Sequence, residues 1–212
     1  MMDFKNFIIL APHTDDGEFG CGGTIARMLE NGAEGHYVSF SICEESVPDG
    51  YPTDILQTEL FAATNILGFK KENVHSLRYP VRKFNFHRQD ILEDIIKLRK
   101  SIRPDLVFIP SLNDLHQDHR VIAEEGVRAF KNNTILSYEL LWNIISFNNT
   151  CFIQLTSEHV EKKIKAIQEY KSQTFRGYSD PDFIKAQVKV RGVQAGMEYA
   201  EVFEVVRIFS KL

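Results

Sequence analysis

Two short stretches of the chain bring together side chains that could hold a divalent cation. The first reads Pro12-His13-Thr14-Asp15-Asp16-Gly17-Glu18-Phe19-Gly20-Cys21-Gly22-Gly23, and the second Pro110-Ser111-Leu112-Asn113-Asp114-Leu115-His116-Gln117-Asp118-His119. His13 offers an imidazole nitrogen. Asp15 and Asp16 are adjacent carboxylates, which repel unless a proton or a cation lies between them. His13, one of these carboxylates and one histidine of the second stretch would make the three nitrogen and oxygen ligands of a catalytic zinc, with a position left for water. Such a cation lowers the pKa of its water and makes hydrolysis feasible near neutrality. Each group taken singly has a structural role available: a hydrogen-bonded histidine, a turn, or a helix cap by Asp114 or Asp118. Two such stretches in one chain favour the metal site. Residue chemistry alone does not separate Asp15 from Asp16, or His116 from His119.

The two stretches resemble the PIG-L/LmbE-like family of metal-dependent N-deacetylases. That family carries a His-Pro-Asp-Asp-Glu segment before a glycine-rich turn, and a later His-x-Asp-His segment. The counterparts here are His13-Thr14-Asp15-Asp16-Gly17 and His116-Gln117-Asp118-His119. The likeness continues through Glu59, Ala63, Leu67-Gly68, Arg103-Pro104-Asp105, Tyr170-Lys171-Ser172-Gln173 and Glu201-Val202-Phe203-Glu204, so it covers nearly the whole chain. The resemblance implies that His13, Asp16 and His119 bind zinc or another divalent metal, with Asp15 as general base. It also implies that a protonated His116, with Asp118 as its neighbour or supporting partner, stabilises the oxyanion. The implied substrate is an N-acetylated sugar, nucleotide sugar or sugar conjugate, and the products are acetate and a free amine. Homo-oligomers are common among proteins of this kind. The chain departs from the family pattern at Thr14, where proline is usual, at Gly17, where glutamate is usual, and at Leu56, where an arginine is common.

Substrate contacts are sought in a basic and aromatic segment that holds Arg78, Arg82, Lys83, His87 and Arg88 with Tyr79, Phe84 and Phe86. Arg78, Arg82, His87 and Arg88 could bind an anionic substituent and an aromatic ring could stack on a sugar or base; the plain alternative is a solvated basic loop. Tyr178 and Arg191 are weaker candidates. His36, His75 and His159 lack this context, with His159 expected to be exposed in the first turn of a helix. Cys21 is expected to pack. No G-x-S-x-G elbow, P-loop or dinucleotide fingerprint is present. Two other functions compete: a different metal-dependent amidase or esterase, and a catalytically silent sugar-binding protein.

The elements that must position these groups follow from hydrophobic patterning. Continuous apolar runs at residues 7–10 and 106–109, and apolar-rich or alternating stretches at 37–42, 74–77, 135–142, 151–155 and 202–209, read as strands. Helical spacing is expected at residues 24–29, 53–67, 90–99, 118–130, 157–173 and 183–193. The glycines after Phe19 are expected to form a tight turn that brings backbone close to a ligand. Buried strands alternating with helices predict an α/β protein: a single-domain, Rossmann-like three-layer sandwich over residues 1–212, with a mostly parallel central sheet. Ligands gather at the carboxyl ends of such strands, and both candidate stretches follow one.

Composition narrows the function classes. The net charge is −4 and the pI about 6.0, without the positive field of a general nucleic-acid binder. Three cysteines without regular spacing favour a reducing compartment over a disulfide framework. No apolar run approaches the ~20 residues of a membrane helix, and the N-terminal run reads as a strand, not a signal peptide. A cytoplasmic protein is expected.

Overall fold

The apolar run after Asn6 makes a strand, β1 (Asn6–Ala11), in which Phe7, Ile8, Ile9, Leu10 and Ala11 are all fully buried. The computed structural model describes residues 4–210; residues 1–3 and 211–212, the ends of the expected domain, lie outside them. The remaining strands are β2 (Glu34–Ser39), β3 (Val74–Ser76), β4 (Leu106–Pro110), β5 (Thr134–Tyr138), β6 (Cys151–Leu155) and β7 (Tyr199–Arg207). They form one seven-stranded sheet in the order β3-β2-β1-β4-β5-β7-β6. The pairings from β3 across to β5 are parallel, and β7 runs antiparallel to both of its neighbours.

Alternation along β1 divides the core. Phe7, Ile9 and Ala11 enter one apolar cluster, while Ile8 and Leu10 enter another on the opposite face. Four helices contribute to the first cluster: α1 (Asp16–Glu30), α2 (Ile55–Leu67), α5 (Ser157–Ile167) and α6 (Pro181–Gln194). The second is closed by α3 (Arg88–Ile102) and α4 (Gln117–Ala129). This is the expected three-layer sandwich. Fully burying an apolar side chain contributes about 1.5–3 kcal/mol, so β1 and β4, buried on both faces, are firm supports for whatever follows them. They are also adjacent, with Ile9 opposite Phe108, at the point where the strand order reverses. Loops leaving the carboxyl ends of such a pair open a crevice.

Several boundaries differ from expectation, each for a physical reason. The glycines form no turn at a ligand: α1 begins at Asp16, and they lie within it. A Cβ on Gly17 would come within 2.6–2.8 Å of the Tyr37 side chain, and one on Gly20 would meet the Tyr138 ring. Glycine here lets a helix approach the sheet closely. The helix kinks at Cys21 (φ −147°), where Glu201 of β7 accepts the amides of Gly23 and Thr24 at 3.0 and 2.7 Å. Lys163, 1% exposed, bridges the kink by donating to Phe19 O (2.7 Å) and Glu201 Oε1 (2.6 Å). The helix expected over residues 157–173 stops at Ile167, because Glu59 of α2 captures the amide and hydroxyl of Ser172 at 2.9 and 2.6 Å. Strand β5 ends at Tyr138, earlier than expected, which frees Trp142 to turn towards the crevice. His159, expected to be exposed, is 7% exposed: it joins a capping box with Thr156 and contacts Glu30 at 3.1 Å.

Candidate active site

Both stretches meet. His13 follows β1, and His116 and His119 follow β4 on the loop and first turn of α4. His13 Nε2 lies 3.1 Å from Asp118 Oδ2, and a carboxylate can only accept, so this nitrogen carries the ring proton. His119 Nδ1 is likewise 2.8 Å from Asp114 Oδ2. The unprotonated nitrogens then face each other: His13 Nδ1 and His119 Nε2 are 3.2 Å apart, and each is 3.3 Å from Asp16 Oδ2. Three acceptors converging at these distances demand positive charge. Metal bonds of about 2.0–2.1 Å in tetrahedral geometry give ligand–ligand edges of about 3.3 Å, so the triangle has the size of a divalent-metal face.

The electrostatics of the cluster express the same demand. Burial disfavours a charged ring at both histidines, yet Asp16 and Asp118 raise His13, and Asp16 and Asp114 lift His119 to about 10. Burial also opposes ionisation of Asp16, and the charges of His119 and His13 overcome it and hold the carboxyl well below its usual range. A bound cation would replace those ring protons.

His116 offers a second grouping, since ligand atoms of His13, His116 and His119 lie within 4.8 Å of one another. Asp16 completes the more compact set and adds an anion. His116 is otherwise engaged: its Nδ1 accepts the Asp118 amide at 3.2 Å, so in the neutral ring the proton sits on Nε2. Burial, with His13 and His119 beside it, pulls its pKa down to about 4. In the neutral ring the Nε2–H is the group His116 offers to the cleft. Asp118 is the neighbour of His116 and also serves His13. Its carboxylate points to His13, and it meets His116 through the backbone. The same carboxylate accepts the amides of Arg82 (2.5 Å) and Phe84 (3.3 Å), which holds Arg82 at φ +67°.

Asp15 lines the cleft beside this cluster. Burial and the neighbouring Asp16 raise it to about 6, against the attraction of Arg176 and His13. The departure at Gly17 has a structural counterpart. The Tyr37 hydroxyl accepts the Gly17 amide at 3.0 Å, and Tyr37 and Tyr170 both contact the Glu18 carboxyl and the carbonyl of Thr14. Glu18 therefore anchors the segment from behind. Burial outweighs the Tyr37 hydrogen bond and pushes Glu18 up to about 8.

The cleft has a volume of about 320 Å³. Of the basic candidates, Arg82 lines it, whereas Arg78, His87 and Arg88 do not. Arg78 pairs with Glu44, His87 packs on Tyr79 with ring centroids 5.8 Å apart, and Arg88 neutralises Glu124 and the buried Glu125. Arg191 is held by Glu139 at 2.6 Å. The facing wall was largely missed by sequence reasoning: Trp142, Asn143, Gln173 and Arg176 join Tyr178 there. Trp142 and Tyr178 stack at 3.9 Å, with their planes 9° apart. The Tyr170-Lys171-Ser172-Gln173 segment was the available signal, but a helix was expected to carry it elsewhere.

The chain is similar to known proteins, several of them named as deacetylases. The chain is 26% identical over 201 residues to the diacetylchitobiose deacetylase of Thermococcus kodakarensis, covering 91% of this chain and 69% of that protein. It is 25% identical over 195 residues to a probable N-acetyl-alpha-D-glucosaminyl L-malate deacetylase 2 of Bacillus anthracis, covering 82% and 83%. Among solved structures, the N,N'-diacetylchitobiose deacetylase of Pyrococcus horikoshii superposes with a TM-score of 0.80 at 23% identity, covering 96% of this chain and 84% of that one. The 4-carboxy-2-hydroxymuconate hydratase GalB of Pseudomonas putida KT2440 reaches 0.78 at 20%, covering 98% and 99%. These two likenesses carry the fold alone. The model of the PIG-L family, described as GlcNAc-PI de-N-acetylase, matches residues 8–130, which include both halves of the triangle, and the chain belongs to that family.

Proposed function

We propose that the protein is a metal-dependent hydrolase that removes the acetyl group from an N-acetylated sugar or sugar conjugate. The observation that carries this reading is the triangle of His13 Nδ1, Asp16 Oδ2 and His119 Nε2, with Asp15 beside it. A divalent ion held by those three residues, zinc by their chemistry, would supply Lewis acidity and lower the pKa of water. Asp15, ionised above about 6, takes the proton from the attacking water. His116 donates its Nε2–H to the acetamido oxygen as that atom gains negative charge. Asp15 then returns its proton to the leaving nitrogen, and the proton left on the attacking oxygen passes to the freed amine, so acetate and an ammonium group depart with the proton count closed. Asp118 fixes the proton on His13 Nε2 and leaves Nδ1 free to bind.

Arg82 is the basic-loop residue retained for substrate binding, and the Trp142–Tyr178 pair offers an apolar face to a pyranose ring. The relatives named for diacetylchitobiose and for a glucosaminyl malate support an N-acetylated sugar as substrate. We read the whole chain as one catalytic domain. The three cysteines are unpaired, as a reducing cytoplasm would keep them, and that location belongs to the proposal. Among the described residues, no helix is long and apolar enough to cross a membrane.

The test is metal analysis together with acetate release from N-acetylhexosamines, nucleotide sugars and small glycosides. The reading requires one tightly held divalent ion, its loss in His13→Ala and His119→Ala, and its retention in an inactive Asp15→Asn. Hydrolysis of esters or other amides without acetate release from any sugar would move the protein to another hydrolase class.

A further inference from the structure

We propose that Arg176 is an anion-recognising residue of the cleft, so that the preferred substrate carries a carboxylate or phosphate near its acetylated sugar. The inference rests on the deacetylase reading and extends it to a substrate class. Arg176 is half-buried and lines the same cleft as Asp15. Its guanidinium is held from two sides: Nε donates to Gln173 Oε1 at 2.8 Å, and Nη1 donates to the Tyr178 hydroxyl. It also lies over the rings of Phe175 and Tyr178, 5.4 and 5.7 Å from their centroids. Gln173 is itself fixed, because the preceding Ser172 is tied to Glu59 through both its amide and its hydroxyl. A chain of contacts from α2 thus presents a pre-oriented cation.

That cation has no carboxylate within salt-bridge distance, and its Nη2 has no hydrogen-bond partner, among the described residues. Other arginines show the contrast. Arg78, Arg88, Arg128 and Arg191 each meet a glutamate. The half-buried guanidinium keeps one edge open to the cleft, and a planar fork with a free edge matches an oxyanion, to which hydrogen bonds are charge-assisted. The competing role is that of a distant counter-charge to Asp15. In that role Arg176 would act on every substrate alike, whereas an anion subsite discriminates.

The test compares metal-loaded wild type, Arg176→Gln and Arg176→Lys on N-acetylglucosamine 6-phosphate, N-acetylmuramic acid and the neutral N,N'-diacetylchitobiose. The quantity read is the ratio of kcat/KM for each anionic substrate to that for the neutral one. Loss of a charge-assisted hydrogen bond predicts a fall of about tenfold or more in that ratio for Arg176→Gln. Partial recovery is expected in Arg176→Lys, and the phosphate and carboxylate arms show which oxyanion is preferred. An unchanged ratio, with the pH profiles of all three substrates shifted together, overturns the subsite and leaves the counter-charge role. If no sugar is deacetylated, calorimetry with inorganic phosphate and L-malate decides separately. Binding weakened in Arg176→Gln supports the subsite while the deacetylase reading fails, and equal binding by both proteins overturns the subsite.

Discussion

On the proposed metal assignment, replacing Asp118 by asparagine should loosen the site without removing one of the proposed ligands. The fully buried carboxylate accepts from His13 Nε2 at 3.1 Å and from the amides of Arg82 and Phe84 at 2.5 and 3.3 Å. An amide offers one oxygen and one NH2 in the same space. With the NH2 towards His13, the ring must move its proton to Nδ1, the nitrogen of the triangle. With the oxygen towards His13, the NH2 opposes the Phe84 amide, donor against donor. Loss of a partner that orients a metal-bound histidine typically weakens affinity about 10- to 100-fold, or about 1.4–2.7 kcal/mol. Asp118→Ala also removes the acceptor for both backbone amides. At about 1.5–3 kcal/mol for each hydrogen bond to a charged group, the metal-free protein should lose roughly 3 kcal/mol, and Arg82 should lose its anchor. Zinc affinity by chelator competition and urea unfolding of the metal-free forms read the two effects. Affinity within twofold of wild type in Asp118→Asn, with unchanged metal-free stability in Asp118→Ala, would refute the assigned role.

Three further outcomes are expected. Because Asp15 must be ionised and lies near 6 before a cation is added, kcat/KM should fall with an acid limb at or below pH 6; Asp15→Asn should lower turnover about 10²- to 10⁴-fold while zinc content stays stoichiometric, and an active variant sinks the base assignment. Lys163→Met strands Glu201 at 4% exposure, which should cost about 3–5 kcal/mol by chemical unfolding; a change below about 1 kcal/mol would show that the bridge across the α1 kink is dispensable. Glu18, lifted from 4.5 to about 8 by burial, keeps a proton in the folded state that the unfolded chain has released. Its contribution is complete below the unfolded pKa and lost as pH rises through the folded value, so Glu18→Gln should gain stability relative to wild type between about pH 5 and pH 8, and a flat difference in urea midpoints contradicts the protonated acid.

The sheet and the pair of stretches that meet at its edge were legible because both depend on local signals, whereas the choice of Asp16 over Asp15 and of His119 over His116 needed the geometry. Continuous apolar runs mark strands buried on both faces, and His13, Asp16 and His119 fall directly after two of them. The onset of α1 was hidden because glycine is among the poorest helix formers, and its presence at Gly17 and Gly20 is explained only by Tyr37 and Tyr138 on distant strands. Asp118 lies 105 residues from His13, so their partnership cannot be read from spacing. The wall built by Trp142, Gln173, Arg176 and Tyr178 comes from irregular segments with no period of their own. Arg78 and Arg88 illustrate the converse error: charge in a loop attracts attention as a binding feature, whereas nearby glutamates had already engaged both side chains.

The triangle grows from β1 and β4, the neighbouring strands deepest in the sheet, while the opposite wall is carried by residues 140–146 and 171–179 outside any strand. Amide protons beside His13 and His119 should therefore exchange only on global opening, and those of the wall by smaller local excursions. Evolution can redraw the wall to admit a new leaving group while the chemical centre keeps its shape, a modularity written into where each half is rooted.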